Sequence, residues 1–378
     1  MEKLTRLQVS GFRSFRSIEI GLRDVTVLIG ANGSGKSNFV GLFSMLGFML
    51  SGSLQTYVAR KGGGSAVLHY GPKVTPVLNA DITFEGETGV STYGFSMAFA
   101  SPDRLIFTDE RVAFLKHGLT TPYTDSLGSA HTETRLTELA ASTKDTTGRT
   151  VARIFQKRLQ EVQVYHFHDT SETAFIRTLQ DVRRDRFLLS TGGNLASFLH
   201  MLRQAYPAHY ARILATVRLV VPYLHDFVLE PSRLNEGRIE LRWRDHNPDY
   251  EFGPHQLSDG SLRAIALITA LMQPDELMPS VIVIDEPELG LHPAAVATVA
   301  QLVQAISSKR QIIVATQSPK FISAFDPEDI VVMERSDDER GVGQSVIKSL
   351  SREDLGEWID QYDLGQLYDM NVTGGGPQ

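Results

Sequence analysis

The octapeptide Gly30-Ala31-Asn32-Gly33-Ser34-Gly35-Lys36-Ser37 constrains this chain more than any other segment. It matches G-x-x-x-x-G-K-[ST] in full, a pattern that functions only where a strand runs into a glycine turn and the turn into a helix. Both neighbours are present. Residues 25–29 (VTVLI) form a short β-branched run that predicts a buried strand, and residues 38–50 carry helical apolar spacing. In that setting the glycines let backbone N–H groups turn inward around a phosphate. Lys36 brings a mobile positive charge to the β- and γ-phosphates of ATP, Ser37 offers a hydroxyl to Mg2+, and the helix N-terminus adds its dipole. Residues Gly30, Ala31, Asn32, Gly33, Ser34, Gly35, Lys36, Ser37 and Asn38 are therefore candidate nucleotide-binding residues, with ATP and Mg2+ as the expected ligands. The competing reading, a chance glycine turn, leaves the flanking strand and helix unexplained.

A second segment, residues 281–287 (VIVIDEP), places two carboxylates at the end of four apolar β-branched residues. A buried parallel strand ending there delivers Asp285 to the sheet edge beside the phosphate loop, where it can hold Mg2+, and sets Glu286 to polarise an attacking water. The alternative is a strand ending in solvated acids. A third segment, residues 257–261 (LSDGS), precedes an apolar helix. Read alone it is a serine N-cap beside a turn.

The rest of the chain sets the architecture. Residues 4–9 and 17–22 alternate as strands, and residues 77–84 and 91–99 read as a hairpin that residues 105–114 extend. Residues 122–149 are rich in Ser, Thr, Asp and Gly and read as a connection, and residues 150–225 as mostly helical. Short strands are expected at 227–231 and 238–244. From residue 257 onward the pattern is helix, strand, helix, strand, ending with a strand at 329–333 and a frayed tail at 373–378. The expected fold is α/β, with a mixed or parallel core sheet, an N-terminal antiparallel sheet and a helical insertion lobe. The expected division is 1–120, 121–226 and 227–378. With 37 Lys and Arg against 44 Asp and Glu, the net charge of −7 excludes a generic polyanion binder. The absence of cysteine excludes thiolate metal sites and thiol nucleophiles. The mixed N-terminus and interrupted apolar runs predict a cytoplasmic chain without a leader or membrane span.

Taken together, residues 12–15 (FRSF), 30–38 (GANGSGKSN), 257–260 (LSDG), 284–293 (IDEPELGLHP) and 315–319 (ATQSP) resemble the RecF/SMC/OLD-like ATP-binding-cassette ATPases of the AAA_21 group. The resemblance is specific over residues 1–50 and 255–335. It implies a P-loop ATPase head in which LSDGS is the signature motif, with Ser258 and Gly260 contacting the γ-phosphate of ATP held by a second copy of the chain and Asp259 between them as a further nucleotide-site candidate. ATP would then sit in a head-to-tail homodimer, with residues 288–293, including His292, crossing the interface. Gln317 stands where cassette ATPases usually carry a switch histidine. Glutamine donates and accepts hydrogen bonds without becoming charged, which implies hydrolysis that is slow rather than absent. The resemblance also brings Arg13 toward the nucleotide and leaves Phe12 and Phe15 to the core. Gln55 lies too close to the phosphate loop to be the Q-loop glutamine. No heptads fill the gap of about 220 positions between Ser37 and Leu257, so the long coiled coil of SMC proteins is not expected. No TOPRIM-like acidic signature follows the motifs, so a nuclease or toxin effector would be separately encoded, in DNA repair or anti-phage defence.

Two features keep open readings. Arg153, Lys157 and Arg158, and Arg177, Arg183, Arg184 and Arg186, either track a nucleic-acid backbone or form solvated faces. His166 and His168 share a face if their segment is a strand, and are either a packed pair or metal ligands. Two functions follow: an ATPase that closes and opens a dimer, with Glu286, Lys36 and Gln317 as catalytic residues, or an ATP-dependent assembly switch with negligible hydrolysis.

Overall fold

The computed structural model describes residues 2–143, 146–247, 249–339 and 341–376. Its strands, in chain order, are β1 (Lys3–Phe12), β2 (Phe15–Gly21), β3 (Val25–Ile29), β4 (Val77–Gly86), β5 (Gly89–Ala100), β6 (Arg104–Lys116), β7 (Tyr123–Gly128), β8 (Val162–Tyr165), β9 (Gln180–Asp181), β10 (Asp226–Val228), β11 (Arg238–Ile239), β12 (Arg242–Arg244), β13 (Val281–Asp285), β14 (Gln311–Thr316), β15 (Ile330–Asp337) and β16 (Gly343–Ser349). Two six-stranded sheets carry the architecture. One runs β2-β1-β4-β5-β6-β7 and is antiparallel throughout. The other runs β16-β15-β3-β14-β13-β8, with five parallel strands and the antiparallel edge β16. Short ribbons pair β9 with β11 and β10 with β12.

The core sheet is buried on both faces, as its near-continuous apolar strands require. Alternate side chains divide between two clusters, the period-2 behaviour of a pleated strand. Val27, Ile29, Ile282, Ile284, Ile312 and Val314 face the helices Leu195–Ala205, Pro207–Val220, Asp259–Met272 and Pro293–Ser307. Leu28, Val281, Val283, Ile313 and Ala315 face the opposite way, toward the helices Lys36–Leu50 and Thr147–Gln160. The same second cluster takes in the inner face of the antiparallel sheet, and Phe12 and Phe15 are fully buried in it. The buried Gln311 side chain stitches the two sheets together, accepting from the Leu4 N–H at 3.0 Å and donating to the Leu4 carbonyl at 2.6 Å. No helix among the described residues is long and apolar enough to cross a membrane.

The expected hairpin and its extension are β4, β5 and β6, and the alternation after residue 257 is the run from Asp259–Met272 to β15. Several details differ. Within the stretch expected to be mostly helical, β8 pairs in parallel with β13 and edges the core sheet. Four residues are too few to display a strand period. The chain does not end on the 329–333 strand: β16 turns back on β15, and the short helices Arg352–Leu355, Trp358–Gln361 and Leu364–Asp369 follow. Nor is the tail frayed over residues 373–376. Thr373 is buried, and the Gly375 N–H donates to Glu334 Oε1 at 2.7 Å. Residues 377–378 lie outside the described residues.

Candidate nucleotide site

Register places the candidate residues. Ile29 lies opposite Thr316, and Ala315 opposite Asp285, so β3, β14 and β13 end together. Their carboxyl ends carry Gly30, Gln317 and the Asp285–Glu286 pair to one edge of the sheet, the edge at which α/β folds open a ligand crevice. Ten or more residues of sequence separate each pair of strands, and the crossovers alone bring them together.

The phosphate loop is closely fitted. At Gly30 a Cβ would lie 2.2 Å from the Met333 carbonyl oxygen, and at Gly35, which has φ 116°, a Cβ would lie 2.4 Å from Ser345 Oγ. Only glycine fits either position. Lys36 begins the helix Lys36–Leu50 and is 5% exposed, its ammonium folded onto the loop carbonyls of Gly30 and Ala31. Burial lowers its pKa, opposed by the carboxylates of Glu286, Asp285 and Glu288. The Lys36 ammonium is thus a desolvated cation satisfied only by loop carbonyls, and a phosphate anion would give it a charged partner. Ser34 Oγ is buried without a hydrogen-bond partner in the same loop.

Asp285 lies beside Ser37, whose hydroxyl hydrogen-bonds to its carboxylate. Burial raises the Asp285 pKa, His168 opposes that rise, and Glu286 adds to it. Asp285 Oδ1 is buried with no partner. An orphaned carboxylate oxygen against a serine hydroxyl is a hard, all-oxygen donor set, and Mg2+ takes such sets with one or two protein ligands, completing its shell with water and phosphate. No cluster of three or more His, Asp or Glu side chains among the described residues is arranged to hold a metal by itself. Glu286 follows in a left-handed conformation, φ 47°, with its N–H donated to the Ala315 carbonyl at 2.8 Å. That conformation costs a non-glycine residue about 1–2 kcal/mol. It marks the turn that sends the chain off the strand just where the second carboxylate is presented. Glu288 Oε1 accepts from the Gln317 N–H at 3.0 Å, joining the acidic segment to the segment after β14.

Arg13, also left-handed at φ 49°, donates to Asn38 Oδ1 at 3.2 Å. With Ser14, Asn38, Lys61, Tyr70 and Arg335 it lines a cleft of about 590 Å³ beside the loop helix. A second cleft of about 600 Å³ is lined by Ala31, Asn32, Ser34 and Gln317, together with Tyr368, Asn371 and Gly375. Sequence reading missed this last wall. Tyr368 is 2% exposed, its phenol oxygen takes a hydrogen bond from the Gly30 backbone, and burial raises its pKa. The only signal was the apolar spacing of Leu364, Leu367 and Tyr368. Gln55 is a structural tie, donating to the Leu105 and Thr132 carbonyls at 2.9 and 2.8 Å.

The LSDGS segment has partners of its own. Ser258 caps the helix Asp259–Met272, accepting from the Ser261 N–H at 3.1 Å. Gly260 packs on Gly290, where a Cβ would lie 2.1 Å from the Gly290 carbonyl oxygen. Asp259 is paired with Arg177 at 2.7 Å. No hydrogen bond or ion pair among the described residues joins Ser258, Asp259 or Gly260 to residues 30–38. Their partners are Ser261, Arg177 and Gly290. Replacing Gly260 by alanine is expected to force the two turns apart and cost about 1–3 kcal/mol, read by urea unfolding.

Two open readings close differently. Arg177 is not part of an exposed basic cluster. It is 5% exposed and spent on internal partners, whereas Arg183, Arg184 and Arg186 are exposed. Arg158 pairs with Glu2 and Glu161, leaving Arg153 and Lys157 as the exposed members of the first group. His166 and His168 lie beyond the end of β8, not on a strand face. His168 Nε2 is 3.1 Å from the Asp285 carbonyl oxygen, and His292 caps the helix Pro293–Ser307.

This fold is that of an SMC head domain. It resembles the crystal structure of an SMC head bound to the C-winged helix domain of ScpA, with a TM-score of 0.59 at 18% identity over 92% of this chain and 98% of that one. It also resembles the SMC head domain with an extended coiled coil bound to the C-terminal domain of ScpA, derived from Pyrococcus furiosus, with a TM-score of 0.57 at 16% identity over 96% and 99% of the two chains. At these identities the likeness is one of fold. The chain belongs to the AAA_21 family, whose model, described as "AAA domain, putative AbiEii toxin, Type IV TA system", matches residues 25–323. No curated protein matches the chain.

Proposed function

We propose that this protein is a Mg2+-dependent ATPase whose ATP is held between two copies of the chain. The observation that carries the reading is the division of the site. The loop, Asp285, Glu286 and Gln317 share one sheet edge, while Ser258, Asp259 and Gly260 make all their hydrogen bonds and ion pairs elsewhere. A head-to-tail pair of protomers completes each half with the other. In this reading Gly30, Ala31, Asn32, Gly33, Ser34, Gly35 and Asn38 cradle the phosphates. Lys36 leaves its loop carbonyls for the β- and γ-phosphates, and Ser37 and Asp285 hold Mg2+, which supplies neutralisation of phosphate charge. Glu286 takes a proton from water as the water attacks the γ-phosphorus, Gln317 hydrogen-bonds that water or phosphate, and ADP leaves. Arg13 reaches the nucleotide from its place beside Asn38. Residues 1–120 and 227–378 act as the two halves of the head, with 121–226 as the insertion between them.

The family's printed description, which names a putative toxin of a type IV toxin–antitoxin system, supports a role in defence. A separately encoded nuclease or toxin effector and a cytoplasmic location belong to this proposal on the sequence reading alone. Arg153 and Lys157, with Arg183, Arg184 and Arg186, are the remaining candidates for nucleic-acid contact. The reading in which ATP only switches assembly is favoured by one feature, the uncharged Gln317 at the switch position.

Saturating Mg-ATP tests the site. At a hundredfold excess over its dissociation constant, ligand bound only to the folded state adds about 2.7 kcal/mol. The melting temperature of the wild type is expected to rise accordingly, and that of Lys36→Ala to stay nearly fixed. An equal rise in both proteins would remove the loop from the binding site.

A further inference from the structure

The LSDGS segment carries a carboxylate at the place where the sandwich reading brings a phosphate. Asp259 lies between Ser258 and Gly260, at the N-terminus of a 14-residue helix. Under the sandwich reading proposed above, that turn faces the γ-phosphate of a second copy. An unneutralised carboxylate there would repel the phosphate and offset the positive helix N-terminus that would otherwise attract it.

Arg177 removes that conflict, and its setting is built for the task. It follows β8 by a dozen residues, in a short 3-10 turn, Phe175–Arg177. Its side chain is 6% exposed, against 62% for Asp259. The guanidinium spends every face of its fork. Nε donates to the Thr170 carbonyl at 2.7 Å, and Nη1 to the carbonyls of Pro254 and of Leu257, the latter at 3.1 Å. Nη2 donates to Asp259 Oδ1 at 2.7 Å. The cation is thus anchored by the residue immediately before the serine and by the carboxylate immediately after it. Lysine, a single point charge, could not span these partners. Asp259 is held ionised, its pKa lowered by the hydrogen bonds from Arg177 and Thr170.

We propose that Arg177 is a positioning residue of the trans-acting half-site: it neutralises Asp259 and fixes the 257–260 turn so that Ser258 and the helix N-terminus meet the γ-phosphate borne by a second copy of the chain. Arg177 touches no nucleotide, and its effect passes entirely through Asp259 and the turn.

The test measures dimer dissociation constants by sedimentation with Mg2+ and a non-hydrolysable ATP analogue, alongside the analogue affinity of the dilute monomer. Arg177→Met is expected to weaken dimerisation about tenfold, within the coupling range of residues that share one hydrogen-bond network, with monomer affinity unchanged. Arg177→Met/Asp259→Asn is expected to regain most of that loss, because the orphaned charge is gone. A purely structural role would not be rescued by a second substitution at an exposed aspartate. Arg177→Lys, which keeps a positive charge but cannot span the three carbonyls and the carboxylate, is expected to fall between wild type and Arg177→Met, which keeps the proposal testable if Arg177→Met does not fold. Wild-type dimerisation of Arg177→Met or of Arg177→Lys, or no rescue in the double variant, would each overturn it. If the wild type itself does not dimerise with the analogue, it is the sandwich reading that fails.

Discussion

Replacing Glu286 by glutamine is expected to lower steady-state phosphate release by about 10²–10⁴-fold, the usual cost of losing a general base. The substitution keeps side-chain length and hydrogen-bonding shape, so the strained turn at φ 47° and the N–H bond to Ala315 persist. What is lost is the capacity to take a proton from water. Asp285 cannot substitute, because in the proposed reading its carboxylate is shared between Ser37 and Mg2+, and it lies on the strand side of the turn. Binding and turnover should therefore separate. The variant is expected to bind Mg-ATP as the wild type does, and to accumulate as the ATP-bound dimer because the step that opens it is blocked. Phosphate release under saturating Mg-ATP, with particle mass measured in parallel, reads both. Unimpaired turnover would remove Glu286 from the chemistry. Negligible turnover in wild type, with ATP-driven assembly intact, would select the switch reading that Gln317 motivates.

Much of this site was legible in sequence because its parts are local. A strand, a glycine turn and a helix occupy consecutive residues, so the loop could be read without knowing the fold. The Asp285–Glu286 pair was legible for the same reason, since the apolar run before it states its own burial. What escaped depends on contacts between distant segments. Four residues of β8 carry no period, and its place at the sheet edge comes from pairing with β13 more than a hundred positions away. Arg177 read as one basic residue among several because nothing in its neighbourhood tells that Asp259, 82 positions on, is its partner. Burial converted it from a surface charge into a strut. The strain at Arg13 and Glu286 was equally invisible: neither residue type announces a left-handed backbone, and both adopt it where the chain leaves a strand beside the candidate site.

The C-terminal wall of that site is where the largest loss of stability is expected. Tyr368→Ala removes a ring that is 2% exposed and packed in the main core cluster with Phe321, Ile322 and Leu367. Truncation of such an aromatic costs about 3–5 kcal/mol, as lost burial plus a cavity that rigid neighbours cannot close. Little relaxation is available here. Gly365 is so close to the Pro319 carbonyl that a Cβ would lie 2.2 Å away, and at Gly375 a Cβ would lie 3.2 Å from Gly30 Cα. The helix Leu364–Asp369 is therefore held between the segment after Gln317 and the phosphate loop, and loosening it loosens both. Tyr368→Phe separates the two contributions. It keeps the ring, so the packing survives. It removes the phenol oxygen that faces the Gly30 N–H donor. Because that donor belongs to the first residue of the loop, the Phe variant is expected to show a smaller Mg-ATP-induced rise in melting temperature than wild type, while the Ala variant shows a large fall in melting without any ligand. Urea unfolding of the three proteins, with and without Mg-ATP, distinguishes them. An alanine variant within about 1 kcal/mol of wild type would mean that the cavity collapses at little cost, and that the C-terminal segment covers the loop without supporting it.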